Sequence, residues 1–437
     1  MTSGDSLRKT HQCIVLFVSF FGWGLAGIHL GITSLVMRVA TADLLPSTAT
    51  EAEIGEWFGW LVCAFLFGAA AGGYLFGLYG DRYGRAKALA MSILCYSLFS
   101  AGTYFATDTW MLLVLRFLTC LGIGGVWPNA IALLTEAWPD VSRPFLAGVL
   151  GTSVNVGILC FSILTMYWYV TQEDWRWTML LGASPLVIGI YAWFMLPESP
   201  RWLALRQTGH ATENAVSRVT PTEIFRPPLL RITIIGILLG TIPLFGGWGV
   251  SNWGAAWASE AGDTSVAASE DEQQTSTSKS DPTLKSKANI YRSLPGSIAS
   301  LLGGALAYWL GRKKTFFLLC LSCFICTQML FRVESPNSDE FLFWTGALGL
   351  FSGFFFGWLP LCLPELFPTR VRSAGAGVSF NWGRILTGIG VLASAMALKK
   401  VFEGRYADVG LICGYIYAIG MVVILFAPDT SQRSLDD

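Results

Sequence analysis

Twelve apolar runs, each about the twenty residues a helix needs to cross a hydrocarbon core, recur along the chain near 14–38, 57–79, 88–107, 110–133, 145–170, 176–196, 230–256, 288–310, 315–332, 341–363, 374–397 and 408–427. Backbone groups inside lipid find no water, so only helices and closed barrels cross a membrane. These runs are far longer than the alternating strands of a barrel, which leaves helices. Gly and Pro are frequent within them, as expected where membrane helices pack closely or bend. Only 13% of the 437 residues are charged and the formal net charge is zero, too little to solvate a soluble protein of this size. The predicted class is an all-α membrane protein with twelve transmembrane helices.

The chain also repeats itself. Glu136, Pro139, Arg143 and Gly148 recur as Glu365, Pro368, Arg372 and Gly377, each 229 residues later. Gly84-Arg85 returns as Gly311-Arg312 after 227, Pro197-Glu198 as Pro428-Asp429 after 231, and Gly22-Trp23-Gly24 as Gly247-Trp248-Gly249 after 225. Six spans repeated in one orientation make a parallel repeat about an axis along the membrane normal. The expected organisation is a first six-helix half at 1–203, a linker at 204–228 and a second half at 229–437, with the solute site between the halves near the midplane.

With both termini on one side, 17 of the 29 Lys and Arg residues share that side and 10 lie opposite, while Arg116 and Arg384 are embedded. This bias puts both termini in the cytoplasm. Residues 197–229 are mixed in charge and can hold one or two short surface helices. Residues 258–287, rich in Ser, Thr, Asp, Glu and Lys, are expected as a disordered external loop. The apolar run after Cys13 is too long for a cleavable signal core. The ten cysteines fall almost entirely inside apolar runs and imply no disulfide framework. Cys320, Cys323 and Cys326 share one run at a spacing open to a metal, but small apolar helix residues fill such positions more often. No metal or cofactor is expected.

The loops joining the spans carry paired charges. GLYGDRYGRAK (Gly77 to Lys87) places Asp81, Arg82 and Arg85 in a short turn, with glycines that let the flanking helices approach. Glu136/Arg143 and Glu198/Arg201 lie on the same side, and Glu365/Arg372 match the first pair in the second half. Opposite charges there can pair when that side closes and part when it opens, or stand as solvated loop charge. The pattern G-x-x-x-D-R-x-G-R-x-K resembles the signature loop of the major facilitator superfamily, with Ala86 where a second base is common. PESPRWL (Pro197 to Leu203) and PELFPTRVRSAG (Pro364 to Gly375) are similar to sugar-porter-type signatures. The resemblance implies the two-halved facilitator fold, alternating access and a gating role for these loops. In the second half Tyr308 and Trp309 replace the acid and base of the first motif, so a weaker or absent latch is expected there.

Arg384 is the sharpest clue to the solute. It lies 12 residues beyond Arg372, hence roughly 18 Å along its helix. A cation at that depth is costly and by default functional. Every one of the 29 acidic residues falls in a loop or at a helix end on these boundaries. An anionic solute can supply the missing charge through a bidentate contact; alternatively backbone carbonyls, or Asn155 at the repeat-related position, satisfy the guanidinium. FNWGR (Phe380 to Arg384) is similar to the eleventh-helix segment of organic-acid facilitators, including aromatic-acid and sialic-acid symporters. Arg116 is expected to snorkel toward the external surface.

WGLAGIH (Trp23 to His29) resembles the first-helix segment in which organic-acid/proton symporters carry two aspartates; here those positions are Ala26 and His29. His29 can carry a proton or contact solute, or be a hydrogen-bonded structural residue. Trp127, Asn129, Asn155, Asn252, Trp253, Trp358 and Asn381 complete the expected cavity lining, the tryptophans supplying apolar walls with one donor each. GTIPLFGGWGVSNW (Gly240 to Trp253) lacks the glutamines of sugar porters, which argues against a neutral hexose.

The expected function is secondary transport of a small organic anion (a carboxylate, aromatic or sugar acid) by alternating access, with protons as a candidate coupling ion. The alternatives are a carrier of neutral or cationic solutes, sugar-like or drug-like, and a transporter-like sensor that binds without turnover. Enzyme activity is not expected, since no acid/base pair, metal constellation or nucleotide loop lies at membrane depth. The expected setting is a monomer in a bacterial inner membrane, with no nucleic-acid partner.

Overall fold

Side-chain caps and glycine turns set where the helices of this chain start and stop. In the computed structural model, which describes residues 9–430 apart from 140, 142, 201, 204–222, 272–282 and 369–370, the described residues are almost wholly helical. Helix α1 (Lys9–Leu35) continues after a one-residue break as a short helix, Met37–Leu44. A capping box, Thr50 with Glu53, opens α2 (Glu51–Tyr83) by satisfying orphan N–H groups in both directions. Gly84, at φ +117°, then turns the chain into α3 (Arg85–Thr103). Asp108 caps α4 (Thr109–Ala137), and α5 (Arg143–Tyr167) follows. The sixth span, α6, is built from Trp177–Ala183 and Leu186–Met195.

The second half begins with α7, in which Leu229–Phe245 passes through a π turn at Gly246–Val250 into Ser251–Asp271. Pro243 lies just before that turn, where its missing N–H already breaks the helical ladder. Next come α8 (Leu284–Leu310), a second positive-φ turn at Gly311 (+88°), and α9 (Arg312–Leu330). Ser338 caps α10 (Asp339–Glu365). The chain closes with α11 (Arg372–Lys400) and α12, made of Tyr406–Cys413 and Ile416–Phe426.

The stretch expected as a disordered external loop is therefore helical up to Asp271 and again from Leu284, while 272–282 and most of the 204–228 linker lie outside the described residues. Ten of the spans are long and apolar enough to cross a membrane by composition alone. The other two, α8 and α11, are as long but carry half-buried or buried polar side chains, among them Asn289, Arg292, Asn381 and Arg384.

Packing follows the repeat. The most extensive contacts inside the first half join α2 to α4, α3 to α4 and α1 to α5; those of the second join α8 to α10, α9 to α10 and α7 to α11. Between halves the large contacts are α2 with α11 and α5 with α8, a pair that exchanges under the same displacement. Glycines make the close crossings possible: a Cβ on Gly124 would collide with the Ala69 carbonyl, and one on Gly353 with the repeat-related Gly296 carbonyl.

The halves meet tightly on the side away from the termini. There Glu51 is held by both nitrogen arms of Arg38, at 2.8 and 3.0 Å, and accepts from the Tyr406 hydroxyl of α12 at 2.6 Å. Arg38 also reaches Ser259 of α7 at 3.2 Å, and Lys399 pairs with Glu56 at 2.8 Å. Along the other seam Thr165 bonds Ser286, Lys285 donates to the Val170 carbonyl, and Asn289 donates to Ser34. Beneath them Trp253 packs on Phe58, and Trp248 stacks on Phe65 at 4.2 Å. Toward the termini a Cβ added at Gly77, Gly151 or Gly377 would meet no atom within 4 Å, while one at Gly148 would touch Leu301 of the other half.

Candidate functional site

Behind that seal, midway along α11, Arg384 is half-buried and reaches across to the other half. Its Nη1 donates to the Ala69 carbonyl of α2 at 3.3 Å and to Asn381 Oδ1, one turn earlier, at 3.4 Å. The guanidinium lies over the Phe380 ring, 4.7 Å from its centroid, which adds cation–π attraction. Gly73 of α2 lies beside both, a Cβ there coming into ordinary contact with Asn381 and Arg384. The Nη2 and Nε groups have no partner among the described residues, and neither is sealed off. No carboxylate pairs with Arg384 among the described residues. A guanidinium tethered through one arm, with the other edge free, presents the fork that a carboxylate fits.

The repeat sets Asn155 opposite. It is the counterpart of Arg384 on α5, is half-buried, and donates to its own helix at Gly151. Trp127 is half-buried and packs on Trp23 at 5.4 Å, forming an aromatic wall on the first half. Arg384 and Asn381 are thus brought together against α2, while Asn155 and Trp127 lie on α5 and α4 of the first half.

Five other expected lining residues are packed elsewhere. Asn129 is buried at the α4–α2 crossing, donating to the Phe76 and Gly125 carbonyls. Asn252 is buried and donates to the Trp248 carbonyl, which steadies the π turn. Trp253 belongs to the seal, its indole bonded to Ser394 at 3.1 Å. Trp358 is buried against Phe316 and caps the Arg312 carbonyl at 3.0 Å. His29 is 0% exposed inside the first half, against Tyr96.

The His29 hydrogen bonds select one tautomer. Nε2 lies 2.9 Å from the Gly182 carbonyl, an acceptor only, so it carries the hydrogen. Nδ1 then accepts from Arg116 Nη1 at 3.4 Å. Both ring nitrogens are used within the half. Arg116 is 1% exposed and turned inward onto α1, donating also to the His29 carbonyl and to Thr33. The snorkelling expected of it does not occur, because α1 offers acceptors at its own depth.

The gating charges sit at the end carrying the termini, and they tie each half to itself. In the first half Arg85 pairs with Glu136, which also accepts from Ser199, while Glu198 caps α3 through the backbone N–H groups of Arg85 and Ala86 at 2.9 and 3.1 Å. In the second half Arg312 grips Glu365 at 3.1 and 3.2 Å, and Thr430 donates to the same carboxylate at 2.9 Å. Arg85, Glu136 and Ser199 are thus repeated as Arg312, Glu365 and Thr430. The second latch, expected to be weak or absent, is present; Tyr308 replaces only the counterpart of Asp81. Asp81 and Arg82 are exposed and form no ion pair with described residues. Arg201 lies outside the described residues, as do the side chains of Arg143 and Arg372.

Two packed six-helix halves, tied to each other at one end and latched within each half at the other, define a secondary transporter of the major facilitator class. It carries a small organic solute and is not an enzyme. The Sugar (and other) transporter family matches residues 12–227 and 274–437, and the chain belongs to that family. Among its relatives is a putative metabolite transport protein of Haemophilus influenzae, 27% identical over 96% of this chain and 97% of the relative. The cis,cis-muconate transport protein of Acinetobacter baylyi is 25% identical over 93% of both chains. The xylose transporter XylE from E. coli, in a partially occluded inward-open conformation, shares the fold at a TM-score of 0.74 and 17% identity, covering 98% of this chain and all of that one.

Proposed function

We propose that the protein moves a small organic anion across the membrane by alternating access, with Arg384 holding the acidic group. The observation that carries this reading is the free edge of a half-buried guanidinium at the midplane with no carboxylate to neutralise it. A neutral solute would leave that charge uncompensated in a low-dielectric site. The names of relatives agree in class, since they include transporters of cis,cis-muconate, 4-hydroxybenzoate and sialic acid. Trp127 and Trp23 supply a ring-lined wall for the hydrocarbon part of the solute. The termini lie in the cytoplasm of a bacterial inner membrane, and the chain acts as a monomer. Any proton linkage runs through groups other than His29, whose nitrogens are both engaged.

The test is a ligand-induced thermal shift of the purified protein with matched organic acids, their neutral amides and amines. One acid should stabilise the wild type. Arg384→Gln should weaken its binding by about a hundredfold, the scale of a lost charge-assisted bidentate contact. Stabilisation by an amide or amine in both proteins overturns the anion reading and makes Arg384 a scaffold residue.

A further inference from the structure

A groove of about 420 Å³ runs along the outside of the second half between α7 and α12. Ile234 and Leu238 of α7 line one wall, Val423 and Phe426 of α12 the other, and Arg231 stands at its head. From Leu230 to Leu238 the groove descends roughly 12 Å into the span, at about 1.5 Å per residue. The opposite face of α7 is the packed one: Gly236 and Gly240 lie against Ser379 of α11. Ile234 and Phe426 remain 49% and 61% exposed. At this depth an exposed apolar wall meets acyl chains rather than water.

The charges at the head of the groove are one-sided. Arg231 is exposed and forms no hydrogen bond, ion pair or ring contact with described residues. Lys313, in the first turn of α9, donates to the Leu425 carbonyl at 3.0 Å, which ties it to the end of α12 beside Phe426. That carbonyl leaves its charge without a counter-ion among the described residues. The nearby acids are engaged elsewhere, Glu365 with Arg312 at 3.1 Å and Asp429 also acting on Arg312. Two cations from two helices thus flank the headgroup end of an apolar channel, on the side of the membrane that carries the termini.

We propose that this groove is a binding site for an anionic phospholipid. The phosphate is held by Arg231 and Lys313, and one acyl chain lies in the groove toward Leu238. Juxtamembrane cations attract anionic headgroups, and a basic site between spans selects them. A zwitterionic lipid is the poorer fit, because its own ammonium competes with Arg231 and Lys313 for the phosphate. The inference needs only the membrane-spanning fold and is independent of which solute is carried.

The experiment titrates the full-length protein, delipidated in neutral detergent, with dioleoylphosphatidylglycerol or dioleoylphosphatidylcholine and counts bound lipids by native mass spectrometry. The first phosphatidylglycerol should bind about tenfold tighter than phosphatidylcholine. Arg231→Gln and Lys313→Gln should each reduce that preference and together remove it, while Arg231→Lys, which keeps the charge, should retain most of it. Ile234→Trp fills the groove without altering charge and should weaken the first phosphatidylglycerol about tenfold. Glycerophosphoglycerol, the headgroup without chains, should not bind measurably. Equal affinity of the two lipids for the wild type overturns the site and leaves an ordinary lipid annulus. A preference that survives in the double variant places the anionic lipid elsewhere. An unchanged affinity in Ile234→Trp removes the chain from the groove, and binding of glycerophosphoglycerol as tight as the lipid makes the ligand a free phosphate ester; either result overturns the proposal.

Discussion

At the scale of single residues, identical chemistry is put to different uses by what stands beside it. Arg116, Arg292 and Arg384 are all embedded, but only Arg116 meets a ring nitrogen, a carbonyl and a hydroxyl together. It is scaffold, and His29 is its anchor. His29→Ala would strip Arg116 and the Gly182 carbonyl of a partner at once, so the melting temperature should fall by the equivalent of about 2–4 kcal/mol. Acid binding per folded molecule should be unchanged; loss of pH-driven accumulation in a normally stable variant would restore a coupling role. The sequence flagged His29 and Arg384 alike, because rarity of charge in an apolar run is visible and the partner across a helix crossing is not.

At the scale of helices, the period of the apolar runs and the repeat offsets carried most of the fold. Eleven of the twelve spans stand close to their expected bounds, the seventh running on as helix to Asp271, and the pairing of helices follows the offsets that Glu136, Arg85 and Trp23 display. What the runs could not show is backbone-to-backbone contact, which depends on glycines meeting across two helices. Gly124→Ala would drive a Cβ into the Ala69 carbonyl and should cost about 1–3 kcal/mol in thermal unfolding. Gly77→Ala, with no atom within 4 Å of the new Cβ, should instead be neutral or stabilise by about 0.5–1 kcal/mol. Equal effects at both sites would show that these crossings are looser than described. The second latch was missed for a related reason. Tyr308 and Trp309 broke the local motif, while Arg312, Glu365 and Thr430 lie far apart in the chain.

At the scale of the whole molecule, charge is divided by direction. The ion pairs at the end of the termini join helices of one half, whereas Glu51, Arg38, Tyr406, Lys399 and Glu56 join the two halves at the far end. The former keep each half rigid and the latter hold the two halves together at the far end. Glu51→Gln removes the charge that Arg38, 4% exposed, and Tyr406 share, which weakens the tie across the seal. The balance should move outward. A cysteine at Ala395, which packs on Gly59 across the seal, reports it on a background with exposed Cys13 and Cys160 replaced by serine. Its labelling from outside should rise about tenfold in Glu51→Gln, and an unchanged rate would show that the apolar contacts alone keep the seal shut.

The charge of Arg384 has a further effect on the whole cycle. Under the proposed anion transport, the empty carrier holds that charge uncompensated within the membrane, and the loaded carrier offsets it. An inside-negative membrane potential therefore acts mainly on the unloaded protein, with a force of up to about 2.3 kcal/mol per charge for each 100 mV actually traversed. With the proposed orientation and an anionic cargo, it would draw the vacant site toward the cytoplasm and oppose its reset outward, so an energised membrane would slow the return stroke while leaving the loaded passage almost untouched.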